Sequence, residues 1–328
     1  MHAGLFLEYN EGCKLVNGDR NMSEGVQTTK KDENYYRSLD ITNDYMFMTV
    51  LNQHPDICLQ LLRYMLPHIQ INRVEYKQLK GLDVIPAQPN VQHVFSPGTD
   101  VHGVRLDVFH DDGERMFDVE MHTGKDGQNE FLPKRTRYTH SSIDAIALKR
   151  GESYHKLRPC YVIYICTFDM FGKGLYLYTV RNHVVEAPSI GYNDESYTLY
   201  FNAKGTVGKI PKVMKEILRY IRNPELYPIK KTKIEVIKQI DTAVKYNRQS
   251  PEWRLEFDML TLFQQDAELR GEKRGKRDLL KDSVEKALSS ELYTTIGMQV
   301  LYSTIAAPQD EIDKVVAELK KEYPGRYM

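Results

Sequence analysis

The segment VRLDVFHDDGERMFDVEMH, residues 104–122, constrains the fold of this chain more than any other stretch. Apolar and polar residues alternate in it on both sides of Asp112-Gly113, and a period of two is typical of β-strands. An Asp-Gly pair between such runs is the strongest short-range signal of a β-hairpin. With Asp112 and Gly113 as the two turn residues, Val108 pairs with Phe117. The sequence therefore predicts an antiparallel hairpin with one apolar face and one polar face.

The polar face of this predicted hairpin collects acidic side chains. In the register set by the turn, Asp107 lies opposite Asp118 and diagonal to Glu120. Diagonal neighbours on a sheet lie roughly 7–8 Å apart, and two carboxylates at that separation can share a divalent cation at about 2.0–2.6 Å per oxygen. Arg105, opposite Glu120, supports a different interpretation, in which the face is neutralised and solvated. The hairpin alone leaves both interpretations open.

Two segments after the hairpin complete the predicted core. Residues 132–150 place apolar side chains near helical spacing, with Pro133 suited to the start of a helix and Gly151 to its end. Residues 161–168, YVIYICTF, are almost wholly apolar and rich in β-branched and aromatic types, which is typical of a buried central strand. Hairpin, crossover helix and buried strand together predict a mixed α/β sheet with a parallel pair and a helix on one face.

The remaining segments predict how the 328 residues are organised around this core. Residues 1–38 are polar and show no sustained period, as in a loose tail. Residues 39–205 form the α/β domain, with further alternating runs at 175–180 and 197–201. Residues 206–328 form an all-helical C-terminal region, because apolar residues recur there at helical spacing.

Four motifs between residues 40 and 205 together resemble a known nuclease family. They are Asp107 within Arg-Leu-Asp-Val, the triplet Glu120-Met121-His122, Leu-Pro-Lys-Arg-Thr-Arg-Tyr on the predicted helix, and a strand that ends Cys-Thr-Phe-Asp-Met-Phe-Gly. The set resembles the PD-(D/E)xK nuclease superfamily, and more narrowly its bacterial branch of recombination-promoting nucleases, whose members often carry a transposase label. The resemblance implies a restriction-endonuclease-like mixed sheet flanked by helices. It also implies a metal-dependent DNA endonuclease that acts in recombination or on mobile DNA.

The resemblance implies roles for the hairpin residues. Asp107 and Glu120 would hold Mg²⁺, with Mn²⁺ as the alternative, and the backbone carbonyl of Met121 would complete the metal shell. His122 stands at the third triplet position, where the superfamily usually has lysine and this branch usually has glutamine. It would orient the attacking water, act as a general base or ligate a softer metal. The missing lysine or glutamine is the main departure from the family pattern.

Three residues outside the hairpin are further candidates. Arg135 and Tyr138 share one face of the predicted helix and would contact substrate phosphate or stabilise the transition state. Asp44 matches the acid that superfamily members often bring to the metal from their first helix, where Thr42 or Asn43 could cap. An aspartate in a first helical turn equally complements the helix dipole, by roughly 0.3–1 kcal/mol. Both interpretations of Asp44 stay open.

The charge balance limits how this chain can attract DNA. With 45 basic and 45 acidic residues, the formal net charge is zero, so any attraction must be local. Basic runs at Lys134–Arg137 and Arg270–Arg277 offer it, although solvated surfaces explain such runs as well. Since one site per chain would have to cut both strands of a duplex, a homodimer is expected.

Missing signals exclude several classes. The chain has no Walker loop, no G-x-G-x-x-G and no nucleophile elbow, so no nucleotide cofactor is expected. No run approaches about 18 apolar residues, and the N-terminus lacks a secretory signal, so neither a membrane span nor export is expected. The four cysteines show neither zinc nor disulfide spacing, and they predict reduced thiols in a cytoplasmic protein.

Other polar residues predict structural roles. Asp169, at the end of the buried strand, is expected to cap the turn before Gly172. Asp118 is expected to be solvated or to lie behind the metal ligands. Three histidines without mutual spacing for a metal are expected at the surface: His102, His110 and His140.

Two other functions agree with the same residues. In the first, a catalytically degenerate nuclease fold binds DNA or a protein partner without cutting, and His122 in place of glutamine or lysine supports it. In the second, an oligomeric regulator works through its C-terminal helices. The second predicts that residues 209–328 bind the partner alone and that Asp107 is dispensable.

Overall fold

The computed structural model of this protein describes residues 33–76, 93–95, 104–124, 131–289 and 298–323. The chain divides into two compact units, residues 1–38 and 39–328. In the first unit, the described part is one short helix, α1 (Glu33–Ser38), and the rest of the predicted loose tail lies outside the described residues.

A mixed β-sheet forms the centre of the second unit. The strands are β1 (Glu75–Tyr76), β2 (His93–Phe95), β3 (Val104–Leu106), β4 (Val108–Asp111), β5 (Met116–His122), β6 (Cys160–Cys166), β7 (Leu177–Val180) and β8 (Ser196–Asn202). Six of them form one sheet in the order β1-β4-β5-β6-β8-β7, and β2 pairs with β3 separately. β4 and β5 are antiparallel, while β5, β6 and β8 run parallel. The predicted mixed sheet with a parallel pair is therefore confirmed.

Helices cover both faces of the sheet. They are α2 (Asp44–Gln53), α3 (Pro55–Met65), α4 (Leu132–Ala147), α5 (Lys212–Arg222), α6 (Glu235–Gln249), α7 (Pro251–Leu288), α8 (Met298–Thr304) and α9 (Gln309–Glu322). Leu132 and Ile143 of α4 pack with Val162 and Tyr164 of β6 in one apolar cluster. α2 packs against β4 and β5. The predicted crossover helix and the helical C-terminal region are both confirmed.

The first turns of α7 pack against α2. The indole Nε1 of Trp253 donates to the Thr49 hydroxyl at 3.2 Å, and its ring stacks on Phe257 with centroids 5.3 Å apart. Tyr45 contacts the same ring at 5.4 Å. The helices that follow the sheet in sequence therefore share its core, and a domain boundary at residue 205 stays a prediction.

The hairpin differs from its predicted register. Val108 pairs with Val119 and not with Phe117. The turn is longer because the N–H of Asp112 donates to the Arg115 carbonyl at 3.2 Å, and the Asp112 carboxylate accepts two turn N–H groups at 2.8 and 2.6 Å. These side-chain bonds stabilise a four-residue turn. The shift is two residues, so the side chains of β4 and β5 keep their predicted faces.

Asp107 lies at a break between two strands. β3 ends before it and pairs with β2, where Arg105 lies across from Val94, and β4 begins after it. The prediction that Arg105 lies opposite Glu120 is therefore wrong. Extending the β4–β5 register by one residue instead brings Asp107 across from Glu120.

Both faces of the hairpin are buried. Every residue from Met116 to Met121 is buried, because α4 covers the face that carries the acids and α2 covers the other. The predicted solvated face is wrong for this reason. His110 is fully buried as well, so its predicted surface position is also wrong.

Two further sequence predictions concern the cysteines and membrane-spanning helices. Cys58, Cys160 and Cys166 carry free thiols, as predicted, and Cys13 lies outside the described residues. Among the helices of the described segments, none is both long and apolar enough to traverse a bilayer.

Replacing Gly205 with alanine is expected to destabilise the fold by about 2 kcal/mol. A Cβ at Gly205 would lie 2.6 Å from the Cα of Tyr176 and 2.9 Å from the Leu175 carbonyl, and backbone cannot give way as a side chain can. Urea unfolding measures the loss. Gly191→Ala is the control, because its Cβ meets no atom within 4 Å. Equal midpoints for the two variants would contradict this packing.

Candidate functional site

Three carboxyl groups lie together beneath α4. Asp118 is 0% exposed, Glu120 is 1% exposed and Asp107 is 6% exposed. Alternation along β5 turns Asp118 and Glu120 toward the same face, and the break at Asp107 delivers the third acid from the neighbouring strand. Buried carboxyls are rare in proteins unless a partner compensates them. The cluster is therefore the principal candidate site.

Arg135 is the cation that compensates these acids. Its guanidinium donates to Oε2 of Glu120 at 2.9 Å, and 47% of its side chain is exposed. Burial lowers the pKa of Arg135, but the negative charges of Glu120, Asp107 and Asp118 raise it by more, so the pKa lies above its ordinary value. The ion pair that the sequence assigned to Arg105 is thus formed by a residue of the following helix.

The two acids of β5 have different protonation preferences. Burial raises the pKa of Asp118 well above its ordinary value, and the charges of Glu120 and Asp107 raise it further. Burial also raises the pKa of Glu120, but the Arg135 charge opposes that shift. Asp118 is therefore the more easily protonated of the two carboxyls, and Glu120 is the one whose ionised form Arg135 stabilises. A protonated Asp118 can donate a hydrogen bond to its ionised neighbour.

Several oxygens of this cluster have no hydrogen-bond donor. Among the described residues outside the cluster, none donates to Oδ1 or Oδ2 of Asp118 or to Oε1 of Glu120. Carboxylate oxygens are the ligands that Mg²⁺ prefers, so the donor chemistry fits that ion. Across all the described residues, no three His, Cys, Asp or Glu side chains are already arranged to hold a metal ion. The positive charge at this site comes from Arg135.

Asp118→Asn is expected to stabilise the protein at pH 8 by about 1 kcal/mol or more, the free energy of one pKa unit. The folded pKa of Asp118 lies above its ordinary value of 3.8. The folded state therefore binds this proton more tightly, and wild-type stability falls as the pH rises from that value through the raised pKa. Urea unfolding at pH 4 and pH 8 tests this. A gain at pH 4 equal to that at pH 8 would contradict the assignment.

Asp44 lies at the start of α2, close enough to act on the cluster. The Asn43 side chain accepts from the Met46 N–H at 3.0 Å, so the predicted cap is confirmed for Asn43. The exposed Asp44 carboxylate raises the pKa of Glu120 by its charge. Its position is compatible with both predicted roles, in the helix dipole and at the metal.

The other predicted residues surround the cluster in different ways. His122 ends β5, is partly exposed, and holds its ring 5.6 Å from that of Phe168. Tyr138 packs against the apolar cluster under α4, and its predicted contact with phosphate stays a prediction. The Met121 side chain is buried, and the predicted role of its carbonyl is untested.

Two residues at the site escaped the sequence reasoning. Tyr164 is directly across from Glu120 in the β5–β6 pairing, and burial and the Glu120 charge raise the pKa of its hydroxyl. Asn52, at the end of α2, reaches the Asp107 carbonyl at 3.5 Å. Tyr164 belongs to an apolar run that predicts a strand but not its neighbours. Only the register between β5 and β6 shows that Tyr164 lies across from Glu120.

Other polar predictions have mixed outcomes. Asp169 is a cap as predicted, because it accepts from the N–H groups of Phe171, Gly172 and Gly174 and from the Tyr178 hydroxyl. Of the two alternatives for Asp118, the solvated acid is wrong, since its side chain is buried, and a place behind the metal ligands stays a prediction. His140 is half-buried, and its ring nitrogens hydrogen-bond with Thr198 and Ser196. Burial lowers its pKa to about 4. His102 lies outside the described residues.

The two basic runs differ in their position relative to the carboxyl cluster. Lys134 and Arg137 are exposed on α4 beside the site. In the distant run, Arg270, Lys276 and Arg277 each pair with an acid on α7 or α9. Among the described residues, each run leaves two basic residues outside its ion pairs, but only the α4 run lies beside the carboxyl cluster.

Comparison with known proteins found no relative. No protein-family model matches the chain, and neither a curated protein nor a solved structure matches it. The resemblance to PD-(D/E)xK nucleases therefore depends on the sequence motifs alone.

Proposed function

We propose that this protein is a metal-dependent DNA endonuclease with a restriction-endonuclease-like fold, in which Asp107 and Glu120 hold the metal. The observation that carries the proposal is the buried carboxyl cluster with donorless oxygens beside one exposed arginine. A structural protein gains nothing from burying three acids, since doing so costs free energy unless they are compensated. Perturbed carboxyls in one cluster are typical of functional sites.

The order of elements supports the same class. The acids lie on an antiparallel hairpin, and a helix then leads to a strand parallel with the second hairpin strand. This is the arrangement in which the motifs of the nuclease resemblance occur. Arg135, two residues from exposed Arg137, brings positive charge to the mouth of the cluster.

Each residue has a distinct task in the proposed reaction. Mg²⁺, when bound, supplies a Lewis acid and a water of lowered pKa. Glu120 and Asp107 would supply negative charge for that ion, and the raised pKa of Asp118 favours its neutral form, which limits repulsion between the acids. Arg135 would donate to phosphate oxygens. His122 would orient the attacking water or act as a general base.

Cleavage of supercoiled plasmid DNA tests the proposal. Purified protein is incubated with Mg²⁺, Mn²⁺, Ca²⁺ or EDTA, and nicked and linear products are measured on gels. We expect cleavage with Mg²⁺ or Mn²⁺ and none with EDTA. Cleavage that persists in EDTA, or the absence of cleavage with every metal, would contradict a metal-dependent nuclease.

A degenerate nuclease fold that binds without cutting is the second candidate. The Arg135–Glu120 ion pair favours it, because the cation already neutralises one of the two proposed ligands. His122 in place of the usual lysine or glutamine favours it as well. This candidate predicts that the protein binds DNA with equal affinity in Mg²⁺ and in EDTA and releases no product.

A further inference from the structure

A cavity of about 450 Å³ lies on the sheet face opposite the carboxyl cluster. Its floor is formed by Tyr161 of β6 and by Tyr197 and Leu199 of β8. These residues alternate with Val162 and Tyr164, which face α4, so the cavity and the cluster are on opposite sides of the sheet. The volume lies within the range of roughly 300–1,000 Å³ that small-molecule sites occupy.

One row of the sheet carries a ladder of flat side chains into this cavity. Phe117 stacks on Tyr161 with centroids 5.5 Å apart, and Tyr161 stacks on Tyr197 at 4.6 Å with an interplanar angle of 8°. The Arg181 guanidinium lies 4.7 Å from the centre of the Tyr197 ring. Arg181 follows β7, one residue beyond its pairing with β8. The ladder therefore ends in an exposed cation above an aromatic ring.

The charged side chains that line the cavity have one sign. Arg181 and Lys209 are both cationic, and none of the described residues that line it is acidic. Within the described part of the chain, no carboxylate forms an ion pair with Arg181 or Lys209. One acid that acts on this floor is Glu195, whose charge reaches Tyr161 from just before β8. The site combines a flat ring surface with two cations, which complements an aromatic anion.

We propose that this cavity binds a nucleoside monophosphate. The base would take the place of the Arg181 guanidinium on the outer face of Tyr197, and the displaced Arg181 would contact the phosphate together with Lys209. Aromatic rings and arginine planes stack on bases irrespective of sequence, at about 1–3 kcal/mol per base, and arginine binds phosphate through paired hydrogen bonds. An inorganic anion would leave the ring ladder unused, and an apolar ligand would leave the cations unused.

Isothermal titration calorimetry in EDTA tests the site without involving a metal. Thymidine 5′-monophosphate and adenosine 5′-monophosphate are titrated into the full chain, with thymidine and inorganic phosphate as comparison ligands. We expect both nucleotides to bind more tightly than either comparison ligand. Tyr197→Leu is expected to weaken nucleotide binding about 10-fold or more, the lower part of the stacking range. Arg181→Gln is expected to weaken nucleotide binding but not thymidine binding.

Matched variants separate this site from its surroundings. Tyr197→Phe keeps the ring and is expected to keep the affinity, and Arg150→Gln removes an exposed cation outside the cavity. Circular dichroism checks that each variant folds. Absence of nucleotide binding would overturn the proposal, as would phosphate binding as tightly as the nucleotides. Loss of binding in Glu120→Gln, with Tyr197→Leu unchanged, would assign the nucleotide to the carboxyl cluster and would equally overturn it.

Discussion

Glu120→Gln is expected to lower metal-dependent cleavage of plasmid DNA by roughly 10²–10³-fold, the usual loss when one preorganised electrostatic group is removed. Glutamine preserves the shape of the side chain but removes the charge that pairs with Arg135 at 2.9 Å. The same charge is needed to hold a divalent cation. Product formation per minute, measured at saturating Mg²⁺, gives the loss directly.

Controls for this variant address both metal binding and folding. Asp107→Asn is expected to have a similar effect, because Asp107 is the second proposed ligand. Glu152→Gln removes a carboxylate that pairs with Lys156 at 2.8 Å, away from the cluster, and should leave cleavage unchanged. Mn²⁺ titration by calorimetry reports metal binding without DNA. If Glu120→Gln cleaved DNA at the wild-type rate, Glu120 would not be a metal ligand.

The His122 position separates a slow nuclease from a binding module. If wild type binds Mn²⁺ but does not cut DNA, His122→Gln and His122→Lys restore the residue types usual in the resembled families. Gain of cleavage in either variant would identify His122 as the cause of inactivity. His122 is partly exposed at the end of β5, so these changes disturb little packing.

Trp253→Ala is expected to destabilise the second unit by about 3–5 kcal/mol. The indole is buried, stacks on Phe257, contacts the tilted ring of Tyr45, and donates to Thr49. Its removal leaves a cavity between α2 and α7 and an unmet hydrogen bond. Urea unfolding monitored by far-ultraviolet circular dichroism measures the change, because α-helices dominate that signal.

The number of unfolding transitions that shift distinguishes a helix α7 that unfolds together with the sheet from one that unfolds independently. Trp253→Phe keeps the ring and should lose less than the alanine variant, which makes it the matched control. A single unfolding transition that shifts as a whole would show that α7 and the sheet unfold together. A second, unshifted transition would contradict this. It would also support the idea that residues 209–328 act as an independent regulator.

The sequence predicted the elements of the core because their signals are local. The alternation in residues 116–122, the apolar run at 160–166 and the helical spacing after Pro133 each depend on neighbours a few residues away. The cap at Asn43 and the turn at Asp169 follow from side-chain to backbone bonds of equally short range.

The predicted site was right in its side-chain faces and wrong in its environment. The acids share a face because a register shift of two residues leaves that face unchanged. Their burial was not predicted, because the same alternation occurs whether the polar face of the strand is in water or is covered by a helix. The hydrogen bonds that the Asp112 carboxylate accepts in the turn favour a four-residue turn over the predicted two-residue loop, and this shifts the register. The Asp-Gly pair alone does not indicate which of the two turns forms.

By itself, the sequence determined that Asp107, Asp118 and Glu120 belong to one hairpin face and that a helix and a parallel strand follow. Only the tertiary structure decided that α4 covers this face and that Arg135, not Arg105, is the partner of Glu120. Tertiary contact also placed Tyr164 beside the acids and Trp253 against α2. Secondary structure follows local spacing, whereas burial, ion pairs and pKa values depend on which distant segments exclude water from a group.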